Sequence, residues 1–156
     1  MANVSFDFVA EDLQKLQERL EADLNGIVNQ ISTDLIPLSA IETIEIGYFN
    51  PTNYPCPSVF VVPSTLRTDS EEDTYNEYGS NTNIEIYIVC SATSNVPSLF
   101  AYQLYNYVKA IVAFLNSYPD EYELVGDGIE FFEALGADET KKWAQINATI
   151  KGSIKY

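Results

Sequence analysis

The chain contains no histidine. That absence removes the commonest general base and a frequent metal ligand, and with them the usual Ser-His-Asp and Cys-His nucleophilic systems. Basic residues are scarce as well: 8 Lys and Arg stand against 23 Asp and Glu, a formal net charge of −15. A nucleic-acid duplex carries one phosphate charge per ~1.7 Å of axis and is gripped chiefly by Lys and Arg. No basic run exists here, so charge-driven binding of DNA or RNA is disfavoured, and an anionic membrane surface is disfavoured for the same reason. The acidic balance solvates the surface. It also makes a wall to which a polyanion does not stick, if the architecture supplies a channel.

Cysteine is limited to Cys56 and Cys90. Two cysteines are not the disulfide framework of a small secreted domain. Both are expected to be reduced and structural, with pairing left open. The opening MANVSFDFVAEDLQKL lacks a basic n-region and a long apolar h-region, so it does not read as a signal peptide. Without secretion, the glycosylation patterns at Asn3-Val4-Ser5 and Asn147-Ala148-Thr149 carry no meaning. Phosphate loops are missing: Gly126-Asp127-Gly128 is too short and no Lys-Ser/Thr follows. Asp69, Glu71 and Asp73 have the first spacings of a calcium loop, but Thr74 and Ser80 stand where that loop needs Gly and Glu. No cofactor or metal motif remains, and none is expected.

What is present is hydrophobic periodicity. With 156 residues the chain fits one domain, since domains run ~100–200 residues. Leu13, Leu16, Leu20, Leu24, Ile27 and Ile31 are spaced as the seam of an amphipathic helix, limited downstream by Pro37. A second helix is predicted from Pro97 to Tyr118, with Phe100, Leu104, Tyr107, Val108, Ile111 and Leu115 on one face. Gln103, Asn106, Lys109 and Asn116 interrupt it, which argues against a membrane span. Tyr102, Tyr105 and Phe114 leave it few polar positions, so more than one side should be covered. Tyr102, Tyr105 and Lys109 are the candidate subunit interface, because aromatic residues are enriched at such surfaces.

The remaining segments read as strands. Ile41–Phe49 alternates from Ile44 onward, NPTNYPCP is an irregular connection, and PSVFVVP is a short β-branched run. In NIEIYIVCSA, Ile84, Ile86 and Ile88 oppose Glu85 and Tyr87. Glu123 to Tyr156 holds two further strands broken by GADETKK. Between PSVFVVP and NIEIYIVCSA lies TLRTDSEEDTYNEYGSNTN, residues 65–83, with five acids and one base. The expectation is an extended hairpin whose tip is a long acidic loop. The fold class is α+β: a single domain, residues 1–156, with a mostly antiparallel sheet packed by two main helices.

Glu42, Glu45, Glu85, Glu130 and Glu133 fall on strands, so a carboxylate pair of the glycosidase type could meet in space. Solvated strand faces are the ordinary place for such residues.

In the order helix, YPCPSVFVVP, loop excursion, NIEIYIVCSA, SLFAYQLYNYVKAIVAFLNSY and closing strands, the chain resembles the phage tail terminator or tail completion proteins, typified by the minor tail terminator of lambdoid phages. The resemblance implies a structural virion protein, not an enzyme. It implies a homo-hexameric ring that caps the tail tube, stops its elongation and faces the head-side connector or neck protein. The ring would be assembled in the host cytoplasm and sit at the tail–neck junction. Genome DNA would pass through without specific binding. Six copies, each −15, carry a formal −90, felt within a screening length of ~8 Å. On this reading Arg67, Asp69, Glu71, Glu72, Asp73, Tyr75, Glu77 and Tyr78 form an arm that orders on docking to the tube or the next subunit. The alternatives are a head-completion or neck protein, a carboxylate-based hydrolase or small-molecule binder, and an acidic adaptor that stays monomeric.

Overall fold

The computed structural model describes residues 7–50, 54–74, 77–91, 97–133 and 141–155, with backbone alone for 7–10, 65–74, 77–80, 97, 126–128, 132–133 and 152–155. The elements run α1 (Asp7–Ile31), β1 (Thr43–Ile46), β2 (Ser58–Thr74), β3 (Glu77–Ser91), α2 (Pro97–Asn116), β4 (Tyr122–Glu133) and β5 (Lys141–Lys155). The strands make one sheet in the order β1-β2-β3-β5-β4. Only β1 and β2 pair in parallel; every other pair is antiparallel. The expected α+β class, two helices on a mostly antiparallel sheet, is the observed one.

Both helices lie on one face of the sheet. On α1, Leu13, Leu16, Leu20, Leu24 and Val28 are buried, whereas Ile27 and Ile31 pack only partly. The seam therefore continues by steps of four and takes Val28 rather than Ile27 as its last fully covered position. Asn25 fixes the return of the chain beside it: its amide donates to the Ile41 carbonyl (3.3 Å) and its oxygen accepts from Ile41 N (2.7 Å). The helix stops before Pro37 is reached. Ser32 Oγ accepts from Leu38 N (2.8 Å) and Thr33 Oγ1 accepts from Ile36 N (3.0 Å), which turns the chain.

On α2 the expected face is buried, joined by Ala110 and Phe114. Gln103, also buried, donates to the Pro37 carbonyl (2.7 Å). Tyr107 Oη accepts from Ser39 N and donates to Ser39 O, both 2.8 Å. Burial pushes the Tyr107 phenol up to about 12. Against these helices the sheet sets Val59, Val61, Ile84, Ile86, Ile88, Ala144, Ile146, Ala148 and Ile150. Each large aliphatic group fully buried stabilises the fold by ~1.5–3 kcal/mol.

Residues 65–83 differ from the expected irregular loop. The hairpin is there, but β2 runs to Thr74 and β3 starts at Glu77; the ladder is continuous to Asp69↔Gly79, and residues 70–73 bulge out before Thr74 pairs with Glu77. β5 accompanies β3 along the whole length, from Ser91↔Lys141 to Glu77↔Lys155. The segment shows little apolar alternation because no helix covers it there. Its strand form rests on backbone pairing, with β3 hydrogen-bonded on both sides. β1 flanks β2 only at Ser58–Val61, and β4 leaves β5 at Tyr122↔Ile150. Past those levels a three-stranded arm continues, its outer β2 and β5 edges without a strand partner among the described residues. From the Arg67–Asn81 level to the Thr74–Glu77 level the arm spans the length of five β3 residues, roughly 13 Å at strand rise.

Candidate interaction surfaces

The arm gathers most of the residues singled out in the acidic segment. Arg67, Asp69, Glu71, Glu72 and Asp73 lie on β2, and Glu77 and Tyr78 on β3; Tyr75 falls outside the described residues. Cross-strand levels are Arg67–Asn81–Lys151 and Asp69–Gly79–Ser153, with Thr74–Glu77–Lys155 nearest the end. Register shifts between Pro63 and Thr65 and between Asp69 and Thr74 mark irregularities in β2, which bend and twist a strand locally.

A second surface lies where α2 meets the β4 edge. Tyr102, Tyr105 and Lys109 share an outward stripe at helical spacing and are exposed. Tyr102 and Tyr105 meet edge to face at 6.2 Å, and Tyr105 meets Phe131 at 5.1 Å. Phe131, Ile129 and Val125 of β4 are exposed too. Sequence reasoning found the helix half of this patch and missed the strand half. Phe131 pairs with buried Ala144, and Ile129 with buried Ile146. Alternation in GIEFFE thus places them on the helix side of the sheet, but at an edge that α2 does not fully cover.

The opposite sheet face is covered by the connection after β1. Gly47 has φ of +101°, a backbone state that costs other residues, and its N–H donates to the Val61 carbonyl (2.7 Å). The chain then lays Phe49 flat on Tyr87 (4.0 Å) and edge-on to Phe60 and Trp143 (5.6 and 5.7 Å). Beside this aromatic block runs a polar stripe. Tyr87 Oη donates to Glu85 (2.8 Å), Gln145 Nε2 donates to Glu85 (3.1 Å) and Asn147 (2.9 Å), and Thr149 Oγ1 donates to Asn83 (2.8 Å). Burial, then the bond to Glu85, raises the Tyr87 phenol to about 12.

Polar and thiol side chains border two of the hollows in the surface. One, about 310 Å³, is a depression bordered by Ser64, Asn83, Glu85, Gln145 and Asn147. The other, about 40 Å³, lies between Ser39, Cys56, Cys90, Gln103 and Tyr107, room for about one water. Cys56 and Cys90 are free thiols, and burial pushes the Cys90 thiol up. The carboxyl pushed above its ordinary range by burial is Asp12, which is on α1 and borders neither hollow. Among the described residues no group of three acidic or thiol side chains is placed to hold a metal ion, and no helix is long and apolar enough to cross a membrane.

A polar node joins the helices to the sheet. The Arg19 guanidinium forks onto the Glu121 carboxylate, donates to Tyr122 Oη (3.1 Å) and lies over the Tyr118 ring (4.2 Å). Tyr118 Oη donates to Asp23 (2.8 Å). The hydrogen bond from Arg19 holds the Glu121 carboxyl below its ordinary value.

Fold and surfaces together define a single-core α+β fold with a projecting β arm and an exposed aromatic stripe. No protein-family model matches the chain. No curated protein matches it. Among solved structures, a chain from the virion of a native gene transfer agent particle is similar over 86% of this chain and 90% of its own, at 14% identity and a TM-score of 0.39. A likeness that weak carries no functional weight.

Proposed function

We propose that this chain is a structural virion subunit that closes side by side into a ring of the tail-terminator type. Such a ring caps the tail tube, stops its growth and faces the head-side connector or neck protein. The observation that carries the reading is the division of the surface. A paired-strand arm projects past the body, and a Tyr102–Tyr105–Phe131 stripe stays uncovered at the far edge of the same sheet. A lone subunit has no use for either, whereas repeated lateral contacts use both. Aromatic side chains supply anchors of the kind that dominate interface energetics. The reading is of a non-catalytic protein of the tail–neck junction, hexameric by resemblance, whose acidic surface lets DNA pass without adhering.

Tube assembly tests it. The tail-tube protein of the particle that carries this chain is polymerised with and without it, and tube lengths are measured by electron microscopy. A terminator gives short, uniform tubes with a collar at one end. Unchanged lengths and bare ends would dismiss the role, and a collar found below the portal instead would transfer it to the head-completion or neck class.

A further inference from the structure

We infer that copies of this chain join with the Leu35 turn of one seated on the Tyr102–Tyr105–Phe131 stripe of the next, and with Asp34 paired to Lys109. The inference rests on the side-by-side assembly proposed above and adds the contact that makes it.

The turn after α1 is built as a knob. Thr33 N donates to the Ile36 carbonyl (3.2 Å), and Ile36 N donates to Thr33 Oγ1 (3.0 Å). Leu38 N donates to Ser32 Oγ (2.8 Å) just behind them. These bonds hold Asp34 and Leu35 at the tip, and a surface fixed in advance loses less freedom on binding. Turn tips ordinarily carry Gly, Pro, Asn, Asp or Ser. Leu35 is instead a large apolar side chain, 86% exposed, and takes no part in the core.

Knob and stripe lie on opposite sides of α2, at one height. Gln103 and Tyr107 face the turn segment through their bonds to Pro37 and Ser39. At about 100° per residue, Tyr105 lies about 200° round the helix from Gln103, with Tyr102 and Lys109 beside it. Just past the other end of α2, Tyr118 meets Arg19 and Asp23 of α1. α1 and its turn therefore run against α2, and Leu35, two residues before Pro37, comes level with the Tyr102–Tyr105 end. A copy set alongside brings its knob to that height on its neighbour's stripe. A contact between two different patches repeats from copy to copy and closes into a ring when the rotation allows. Two stripes set face to face would leave both Leu35 side chains in water.

The chemistry of the two patches matches. Tyr102, Tyr105 and Phe131 make an edge-to-face row, with Ile129 exposed beside it. None of the chain's 23 acids lies on α2, and its one base is Lys109. In a chain of net charge −15, an acid-free face is where a second copy meets least repulsion. Lys109 and Asp34 are both exposed, and neither makes an ion pair among the described residues. Asp34 is next to Leu35 in the turn, and Lys109 is one helical turn from Tyr105. Seating the leucine on the aromatic row therefore brings the two opposite charges together.

Removal of the knob and exchange of the charges are the experiment. The purified chain is compared with Leu35→Ser, Asp34→Lys, Lys109→Asp and the double charge variant by sedimentation and native mass spectrometry. Thermal melting shows that each folds, and Leu35→Ser should melt with the wild type because its side chain leaves no cavity. The wild type should assemble. Leu35→Ser should weaken assembly about tenfold or more. Each charge variant should weaken it several-fold, and the double should regain it. A second measurement mixes isotope-labelled and unlabelled wild-type chains and adds a water-soluble carbodiimide, which couples a carboxyl to an amine. Digestion and mass spectrometry should then find Asp34 joined to Lys109 in peptides of mixed label. An assembled wild type indifferent to Leu35→Ser and to the charge variants overturns the contact and leaves the ring reading to the tube-length assay. A wild type that stays monomeric, or coupling confined to chains of one label, also overturns it.

Discussion

Phe131 of β4 stands edge-on to Tyr105 of α2, ring centroids 5.1 Å apart at 82°, with 50% and 48% of their surfaces exposed. A pair of this kind is worth ~0.5–1.5 kcal/mol beyond area burial, yet half of its apolar surface is left to water. Within one copy the contact is incomplete. Changing Phe131 to Ser should cost the isolated subunit about 1 kcal/mol or less. The same change should weaken tube capping or self-assembly by about 2 kcal/mol or more if the stripe anchors an interface. Melting and assembly measured on one preparation separate the two effects.

The Arg19–Glu121 fork gives an acid-side signature. Glu121 titrates below its ordinary value near 4.5 because Arg19 hydrogen-bonds its charged form. A carboxyl depressed in the folded state stabilises the protein above its unfolded value, and that increment is lost as pH falls through the folded value. Glu121→Gln should therefore be less stable than the wild type at neutral pH, with the gap closing as pH drops below about 4.5. Arg19→Lys, which loses both fork and ring stacking, should cost about 1 kcal/mol. Urea titrations across pH check both.

The alkaline side has the opposite sign. Tyr87 and Tyr107 titrate at about 12 rather than 10.0. Their neutral forms are favoured by folding, so stability is intact below the unfolded value and declines as pH rises from 10 toward 12. Phenolate absorbance should show a late class of tyrosines that moves to 10 on denaturation. Tyr107→Phe should remove one member and leave Ser39 N–H without its acceptor, destabilising at neutral pH by ~1–3 kcal/mol.

Two glycines predict opposite outcomes. Gly26 is helical and a methyl group there would meet nothing within 4 Å, so Gly26→Ala should stabilise by about 1 kcal/mol and raise Tm by ~2–4 °C. Gly47 has equal space but φ of +101°, so Gly47→Ala should destabilise by ~1–2 kcal/mol. Parallel melts of the two variants decide.

Where side chains face a core, the fold was legible. Leu13, Leu16, Leu20 and Leu24, the α2 face, and the isoleucines of β3 were each marked by period and are each buried. The arm was not legible, because its strands are held by main-chain pairing and the run from Thr65 to Asn83 shows no apolar alternation. Tyr102, Tyr105 and Lys109, singled out from the sequence as a candidate subunit interface, are exposed on α2. Their companions Ile129 and Phe131 lie in β4, whose place at the edge of the sheet no local pattern records. The polar stripe from Asn83 to Thr149 depends on registry between β3 and β5, which pairs residues far apart in sequence and which no local pattern records.

That registry also dictates an order of events as the polypeptide folds. β2 and β3 are neighbours in sequence, with Thr74 paired to Glu77, and can zip together early, but β3 receives β5 only after α2 and β4 have been made. Until then the nascent hairpin presents bare main chain along β3, and along β2 beyond its β1 partner, with Ile84, Ile86 and Ile88 still awaiting α2. The carboxylates of residues 69–77 sit beside that sticky stretch as gatekeepers. Their mutual repulsion would keep half-finished chains from stacking on one another before the last strand arrives.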